Sequence, residues 1–286
     1  MVGTPIRKLQ TEREDEDSVN FAGKVCIVTG ASSGIGRRTA LDFAADGAEV
    51  CVVARREALL VDLVDQMGGD SRGHSYVAAD VSVLEDVGRI GAHVRARHRR
   101  CDVLVNNAGF SRPGSFAEHD ALEKLDEVMA TNFFGAARLT KELLPLLVEA
   151  APSSVVNVAS IAGRLALGGA GAYCASKFAL VGFSEALNFD LAPLRVHVGL
   201  VEPGPVPTEG FPQRDLLGDR LLRRAVSSAD EVSRAIRKSA AGHKLQRVVP
   251  RAYHLLTIAR YLSPPLYTFA QRRLIKDRAR ANMRAD

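Results

Sequence analysis

Val25-Cys26-Ile27-Val28-Thr29-Gly30-Ala31-Ser32-Ser33-Gly34-Ile35-Gly36 decides the fold of this chain. A short apolar run ends at Gly30, a glycine-rich loop follows, and a helical pattern runs from Ile35 to Ala45. The run is apolar on successive residues rather than on alternate ones, which predicts a strand covered on both faces. The same unit recurs downstream. Val50-Cys51-Val52-Val53 precedes a helical stretch from Glu57 to Met67. Tyr76-Val77-Ala78, Val103-Leu104-Val105, Val155-Val156-Asn157-Val158 and Val196 to Val201 continue the series. Strands separated by helices imply right-handed βαβ units, and hence an α/β fold: a Rossmann-type doubly wound parallel sheet in three αβα layers, as a single domain. The domain is expected over 21–250, with a flexible polar arm at 1–20 and a basic amphipathic extension at 251–286.

Glycines after the first strand permit a tight turn, close approach of backbone to a pyrophosphate, and close helix packing. The helix N-terminus then offers free N–H groups and its positive dipole end to phosphate. The spacing is G-x-x-x-G-x-G, and no Gly-Lys-Ser/Thr ending points to a nucleoside triphosphate. A dinucleotide is therefore expected on Gly30, Ser32, Ser33, Gly34, Ile35 and Gly36. The end of the second strand discriminates between cofactors, because an acid there binds a ribose 2′-hydroxyl and a cation accommodates a 2′-phosphate. Here the chain reads Val53-Ala54-Arg55-Arg56, with no acid before Glu57. The expectation is NADP(H), with Arg55 on the phosphate, since guanidinium grips phosphate through paired hydrogen bonds. Arg37 is the expected helper, and the alternative for Arg37 and Arg56 is that they only face solvent.

At 286 residues and 47% hydrophobic content, the chain can bury a large core. Cys26, Cys51, Cys101 and Cys174 show neither disulfide nor metal-ligand spacing, which suits a reducing cytoplasm and gives no metal site. Met1 to Asn20 contains no apolar segment of the secretory type. The net charge of +5 is unevenly spread: from Arg234 onward, 13 Lys/Arg face two acids, a balance of +11. Such a tail suits an acidic surface or is simply a solvated helix face. It carries no recognised nucleic-acid-binding motif, so no nucleic-acid partner is expected.

Tyr173 and Lys177 lie four residues apart in a segment, Ala172 to Leu191, that reads as helical, so they share one face. An ammonium there would stabilise a phenolate and lower its pKa, and the phenol could donate a proton to a developing alkoxide. Ser160, at a strand end, could hold the same oxygen. On spacing alone, such a pair on a helix is usually structural.

The glycine loop, Asn106-Asn107-Ala108-Gly109, Ser160, Tyr173-Cys174-Ala175-Ser176-Lys177 and Pro203-Gly204 resemble, in order, the short-chain dehydrogenase/reductase family over about residues 22 to 250. The resemblance implies an oxidoreductase with Tyr173 as acid/base, Ser160 on the substrate oxygen and Lys177 on the cofactor ribose. It further implies that Asn132 anchors a proton relay and that Asp80, with Val81, borders the adenine. Asn107, Ala108 and Gly109 would line the adenosine side, and Pro203, Gly204, Val206 and Thr208 the nicotinamide side. Pro205 and Pro207 depart from the family pattern and stiffen that stretch. The helix from about Ala121 to Glu149, with the Tyr173 helix, resembles the family's subunit-pairing surface, so a homodimer or homotetramer is expected.

Ile161 to Gly171 is small and apolar with one cation, Arg164, which favours a lipophilic carbonyl or secondary alcohol as substrate. A charged lid is expected over Glu209 to Arg224. In the extension, Tyr253, Leu255, Leu256, Ile258, Tyr261, Leu262, Leu266, Tyr267 and Phe269 interleave with Arg260, Arg272 and Arg273. Nothing there approaches the roughly 20 residues needed to span a bilayer. It is either a peripheral contact with anionic membrane or a tail packed on its own domain or on a second subunit. A non-catalytic, cofactor-binding sensor on the same fold remains the alternative to an enzyme.

Overall fold

The computed structural model describes residues 19–207, 226–242, 244–269 and 272–273. Thr208, the expected lid and nearly all of the expected arm lie outside the described residues. Strands β1 (Val25–Thr29), β2 (Glu49–Ala54), β3 (Ser75–Ala78), β4 (Val103–Asn106), β5 (Ser153–Val158), β6 (Val196–Pro203) and β7 (Gln246–Val249) form one sheet. Its order is β3-β2-β1-β4-β5-β6-β7, and every pairing is parallel. Helices α1 (Gly34–Ala45), α2 (Glu57–Met67), α3 (Leu84–Arg97), α4 (Ala121–Met129), α5 (Ala136–Glu149), α6 (Gly171–Leu191) and α7 (Ala229–Ala240) flank it, and α8 (Tyr253–Leu262) follows β7.

Successive strand residues point to opposite faces, and each face is roofed by helices. Cys26 and Val28 pack with Val50, Leu60, Leu63 and Ile236 on one side. Ile27, Cys51 and Val53 pack with Ile90, Leu139 and Leu143 on the other. This explains the unbroken apolar runs. The strand order reverses between β1 and β4, and the loops leaving their carboxyl ends open the crevice where ligands bind in such sheets.

Three elements lie outside the spans read from sequence: the helix α3, the strand β7 and the helix α7. β7 is a short, half-polar edge strand without an apolar run. α7 begins with Ser228 and Glu231 in a reciprocal capping box, for which Ser-x-x-Glu is the sequence signal. The single helix expected over 121–149 is instead α4 and α5 joined by a π-helical turn, Ala130–Gly135. All four cysteines are free and buried.

Candidate active site

The glycine loop is held by its neighbour strand. Thr29 Oγ1 donates to the Val105 carbonyl at 3.2 Å and accepts from Asn107 N and Ala108 N at 2.9 and 3.0 Å. Asn107 Nδ2 donates to the Thr29 carbonyl at 2.9 Å. Gly30 adopts φ +65° with its bare Cα against Ala108, where a Cβ would stand 2.8 Å from Ala108 Cα. A Cβ on Gly36 would meet Asn107 Nδ2 at 2.5 Å. The loop is therefore a cradle that side chains would fill, and its residues fit a bound pyrophosphate.

Gly30, Ser33, Gly34 and Ile35 face Asn107 and Gly109 across one end of a continuous cleft. Ser160, Tyr173 and Lys177 lie on its wall with Pro203, Gly204 and Val206. The adjoining part is lined by Ser32, Arg55, Arg56, Asp80, Val81 and Ala108. Thus the structure brings together almost all of the residues singled out from sequence. Gly36 and Arg37 stand apart from that lining. Gly36 packs behind the loop, and Arg37 turns away to Gln66 (2.6 Å) and Asp62 (3.6 Å). Arg56, which sequence left open as a solvent-facing residue, donates to Ser32 Oγ at 3.1 Å from inside the lining. Arg55 is largely exposed, 3.7 Å from the Asp80 carboxylate. Asp80 is itself fixed by Ser82 N and Oγ at 2.9 and 2.7 Å.

Ser160 caps a short 3₁₀ turn, Ile161–Gly163, accepting from Ala162 N at 3.1 Å and donating to the Pro203 carbonyl at 3.3 Å. Its hydroxyl also hydrogen-bonds with Tyr173. Lys177 is 4% exposed, and its Nζ donates to the Val158 carbonyl at 2.9 Å, lying 5.7 Å from the Tyr173 ring centroid. Burial pushes the Tyr173 phenol up to about 12, despite the opposing hydrogen bond with Ser160. Burial pushes Lys177 down to about 8. At the phenol, burial outweighs the Ser160 hydrogen bond, and the Lys177 ammonium is turned to a backbone carbonyl. The phenol is held in its proton-donating form.

Asn132 sits in the π-turn, 1% exposed and outside the cleft lining. Its amide brackets Phe110, accepting from N and donating to O at 3.0 Å each, and donates to Ser176 Oγ at 3.0 Å. A Cβ on Gly109 would stand 3.0 Å from Asn132 Oδ1 and 3.4 Å from Lys177 Nζ. The widened turn thus ties the β4 loop to the helix that carries Tyr173 and Lys177, a use of π-turns common at functional sites. Periodicity could not signal it.

Arg164 does not line the cleft as the loop sequence suggested. It pairs with the fully buried Glu202 at 2.8 Å and with Glu185 at 2.6 Å, pinning the β5 loop to β6 and α6. The wall left beside Tyr173 includes Ile161, Ala162 and Leu167. Away from the cleft, tertiary contact places donor atoms of Cys51, His93 and His98 within 4.8 Å of one another. The Ser75 hydroxyl lies between the imidazoles, 2.7 Å from His98 Nε2 and 3.0 Å from His93 Nε2.

A family model described as short chain dehydrogenase matches residues 24–215. The chain is 33% identical over 196 residues to dehydrogenase/reductase SDR family member 7B of Danio rerio, covering 66% of this chain and 63% of that protein. The fold is similar to a short chain dehydrogenase/reductase from Burkholderia phymatum in complex with NAD: TM-score 0.76, 27% identity, 87% of this chain and 96% of that one. It is also similar to the RhlG/NADP active-site complex of Pseudomonas aeruginosa: TM-score 0.73, 26% identity, 82% of this chain and 98% of that one. The chain belongs to the short chain dehydrogenase/reductase family, a family of nicotinamide-dependent oxidoreductases.

Proposed function

We propose that this chain is an NADP(H)-dependent oxidoreductase that interconverts a carbonyl and a secondary alcohol on a lipophilic small molecule. The observation that carries the chemistry is the convergence of the Ser160 and Tyr173 hydroxyls and the Lys177 ammonium on the wall of the cleft that holds the glycine cradle. A bound nicotinamide cofactor supplies the hydride. Tyr173 Oη donates the proton to the substrate oxygen, and Ser160 Oγ holds that oxygen by hydrogen bond. Lys177 supplies positive charge beneath the phenol and binds the ribose, while Asn132 positions the β4 loop and the helix behind both. A phenol protonated at neutral pH can give that proton to the oxygen of a carbonyl being reduced. NADPH oxidation with a panel of lipophilic ketones tests the reading, and absence of turnover across the panel counts against it.

The NADP(H) preference is supported by Arg55 and Arg56 at the end of β2, both in the lining, where the chain itself has no acid before Glu57. Arg56, oriented by Ser32, takes the helper place first expected of Arg37. NADPH is expected to bind at least about tenfold tighter than NADH, a gap of about 1.4 kcal/mol. Arg55→Ala should erase most of the gap and Arg56→Ala part of it, as read by titration of NADPH fluorescence. Equal binding of the two cofactors by the parent protein would overturn the assignment.

The lipophilic substrate is supported by the apolar Ile161, Ala162 and Leu167 wall and by the inward pairing of Arg164, which leaves that wall without its only loop cation. Self-association is supported by apolar side chains left exposed along the α4–α6 surface: Leu122 at 64%, Phe134 at 45% and Phe189 at 74%. No described helix is long and apolar enough to cross a membrane.

A further inference from the structure

The polarity of α8 is inverted for a helix lying on a water-soluble domain. Its inward face carries Tyr253, Thr257 and Arg260, whereas Leu255, Leu256, Ile258 and Leu262 are 71%, 53%, 49% and 80% exposed. An amphipathic surface helix normally buries its apolar stripe and shows water its polar one. The short helix at 264–269 repeats the pattern: Tyr267 turns inward, while Leu266 and Phe269 are 65% and 61% exposed.

The inward face is firmly seated. A Cβ built on Gly204 would meet Tyr253 Cε2 at 2.5 Å, so the ring lies directly on that glycine. Tyr267 Oη donates to the Ala166 carbonyl at 2.7 Å. The Arg260 guanidinium stands 5.0 Å from the Phe178 ring centroid and 5.4 Å from that of Tyr267. Tyr253 and Tyr267 pack against Ile161 and Leu165. Gly204 and Ile161 line the cleft that holds Tyr173, so the extension is built against the back of the substrate wall. The tail packs on its own domain through its aromatic face, and the aliphatic face has no cover among the described residues.

We infer that this aliphatic outer face docks on an anionic lipid surface, holding the domain and its cleft at the membrane from which a lipophilic substrate enters. Charge selects this occupant. Among the described residues the extension carries Arg251, Arg260, Arg272 and Arg273 and no acid, so apposing two copies of it would bring like charges together. An anionic leaflet instead neutralises them while its acyl boundary takes up the leucines. A second copy of the chain also has a different apolar surface available, on α4 to α6.

The docking itself is independent of the oxidoreductase reading; only the route of substrate entry rests on it. The test is flotation of the full chain, without nucleotide or substrate, on phosphatidylcholine vesicles with or without about 30% phosphatidylglycerol. The comparison is a Leu255→Glu, Leu262→Glu, Leu266→Glu variant, whose three sites are exposed enough to leave the fold intact, verified by thermal unfolding. The parent should float with anionic vesicles at least about tenfold more than with neutral ones, lose that binding in high salt, and lose it in the variant. Failure of the parent to float, or equal flotation of the variant, overturns the proposal. So does a drop in the variant's molar mass by sedimentation in the absence of lipid, which would assign the face to a second copy. None of these outcomes bears on ketone reduction, which is measured separately in solution.

Discussion

Tyr173→Phe is expected to yield a folded, cofactor-binding protein whose ketone reduction falls by about a thousandfold, within the range attributed to a lost general acid. The variant removes one oxygen and nothing else. Ser160 keeps its Ala162 and Pro203 partners, so the 3₁₀ turn stays in place. The ring remains in the cleft wall, and the glycine cradle, Arg55 and Arg56 are untouched. NADPH affinity and melting temperature should therefore stay close to those of the parent, while turnover in single-turnover and steady-state assays collapses. Retention of more than about a tenth of the rate would remove Tyr173 from the proton-donor role and assign the proton to another donor in the cleft.

Lys177→Met should separate activity from stability in opposite directions. No carboxylate pairs with Lys177 among the described residues, and its nitrogen is satisfied by one backbone carbonyl. Keeping the buried ammonium charged costs about 3 kcal/mol, the free-energy equivalent of lowering its pKa from 10.5 to about 8. For a base with a depressed folded-state pKa, this penalty is complete below about pH 8, where folded and unfolded chains are both protonated. It fades between about 8 and 10.5, where the folded protein holds the neutral amine and the unfolded chain is still charged. Methionine avoids the penalty but leaves the Val158 carbonyl without its donor, a loss of about 1 kcal/mol. The net expectation is a gain of about 1–2 kcal/mol at pH 7, a melting temperature a few degrees higher, and a smaller gain at pH 10. Activity should fall at least about a hundredfold, because the positive charge beneath the phenol is gone. A melting temperature lower than the parent's at pH 7 would show that the lysine stabilises the fold and does not strain it.

The elements that sequence located are those whose residues report their own surroundings. β1, β2, β4 and β5 are apolar on consecutive residues because both faces are covered, and that pattern needs no knowledge of the partners. α2 matches its expected span, Glu57 to Met67. The glycine loop was legible because close approach leaves no room for a Cβ, a constraint written into residue identity. By contrast, β7 carries too little apolar pattern to separate an edge strand from a loop, and the π-turn at 130–135 adds one residue to a helical turn without altering its composition.

The arginines mark the boundary most clearly. Sequence placed four of them near the crevice: Arg55 as the phosphate contact, Arg37 as its helper, Arg56 beside them and Arg164 in the substrate loop. The structure keeps Arg55 and Arg56 in the lining, sends Arg37 to Gln66 and Asp62, and turns Arg164 inward to Glu202 and Glu185. A guanidinium goes to whichever acceptors stand within reach, and those acceptors come from elements distant in the chain. The same holds for the Tyr173 pKa, which depends on how much water the folded wall excludes, and for Cys51, which meets His93 and His98 only where α3 packs on the sheet. Sequence alone determined the parallel sheet, the phosphate cradle and the order of the Ser, Tyr and Lys positions, because steric exclusion and strand burial act residue by residue. Tertiary structure alone decided which cations face the cleft, which proton the phenol keeps and which side of the C-terminal helix meets solvent, because electrostatics and burial are properties of neighbours.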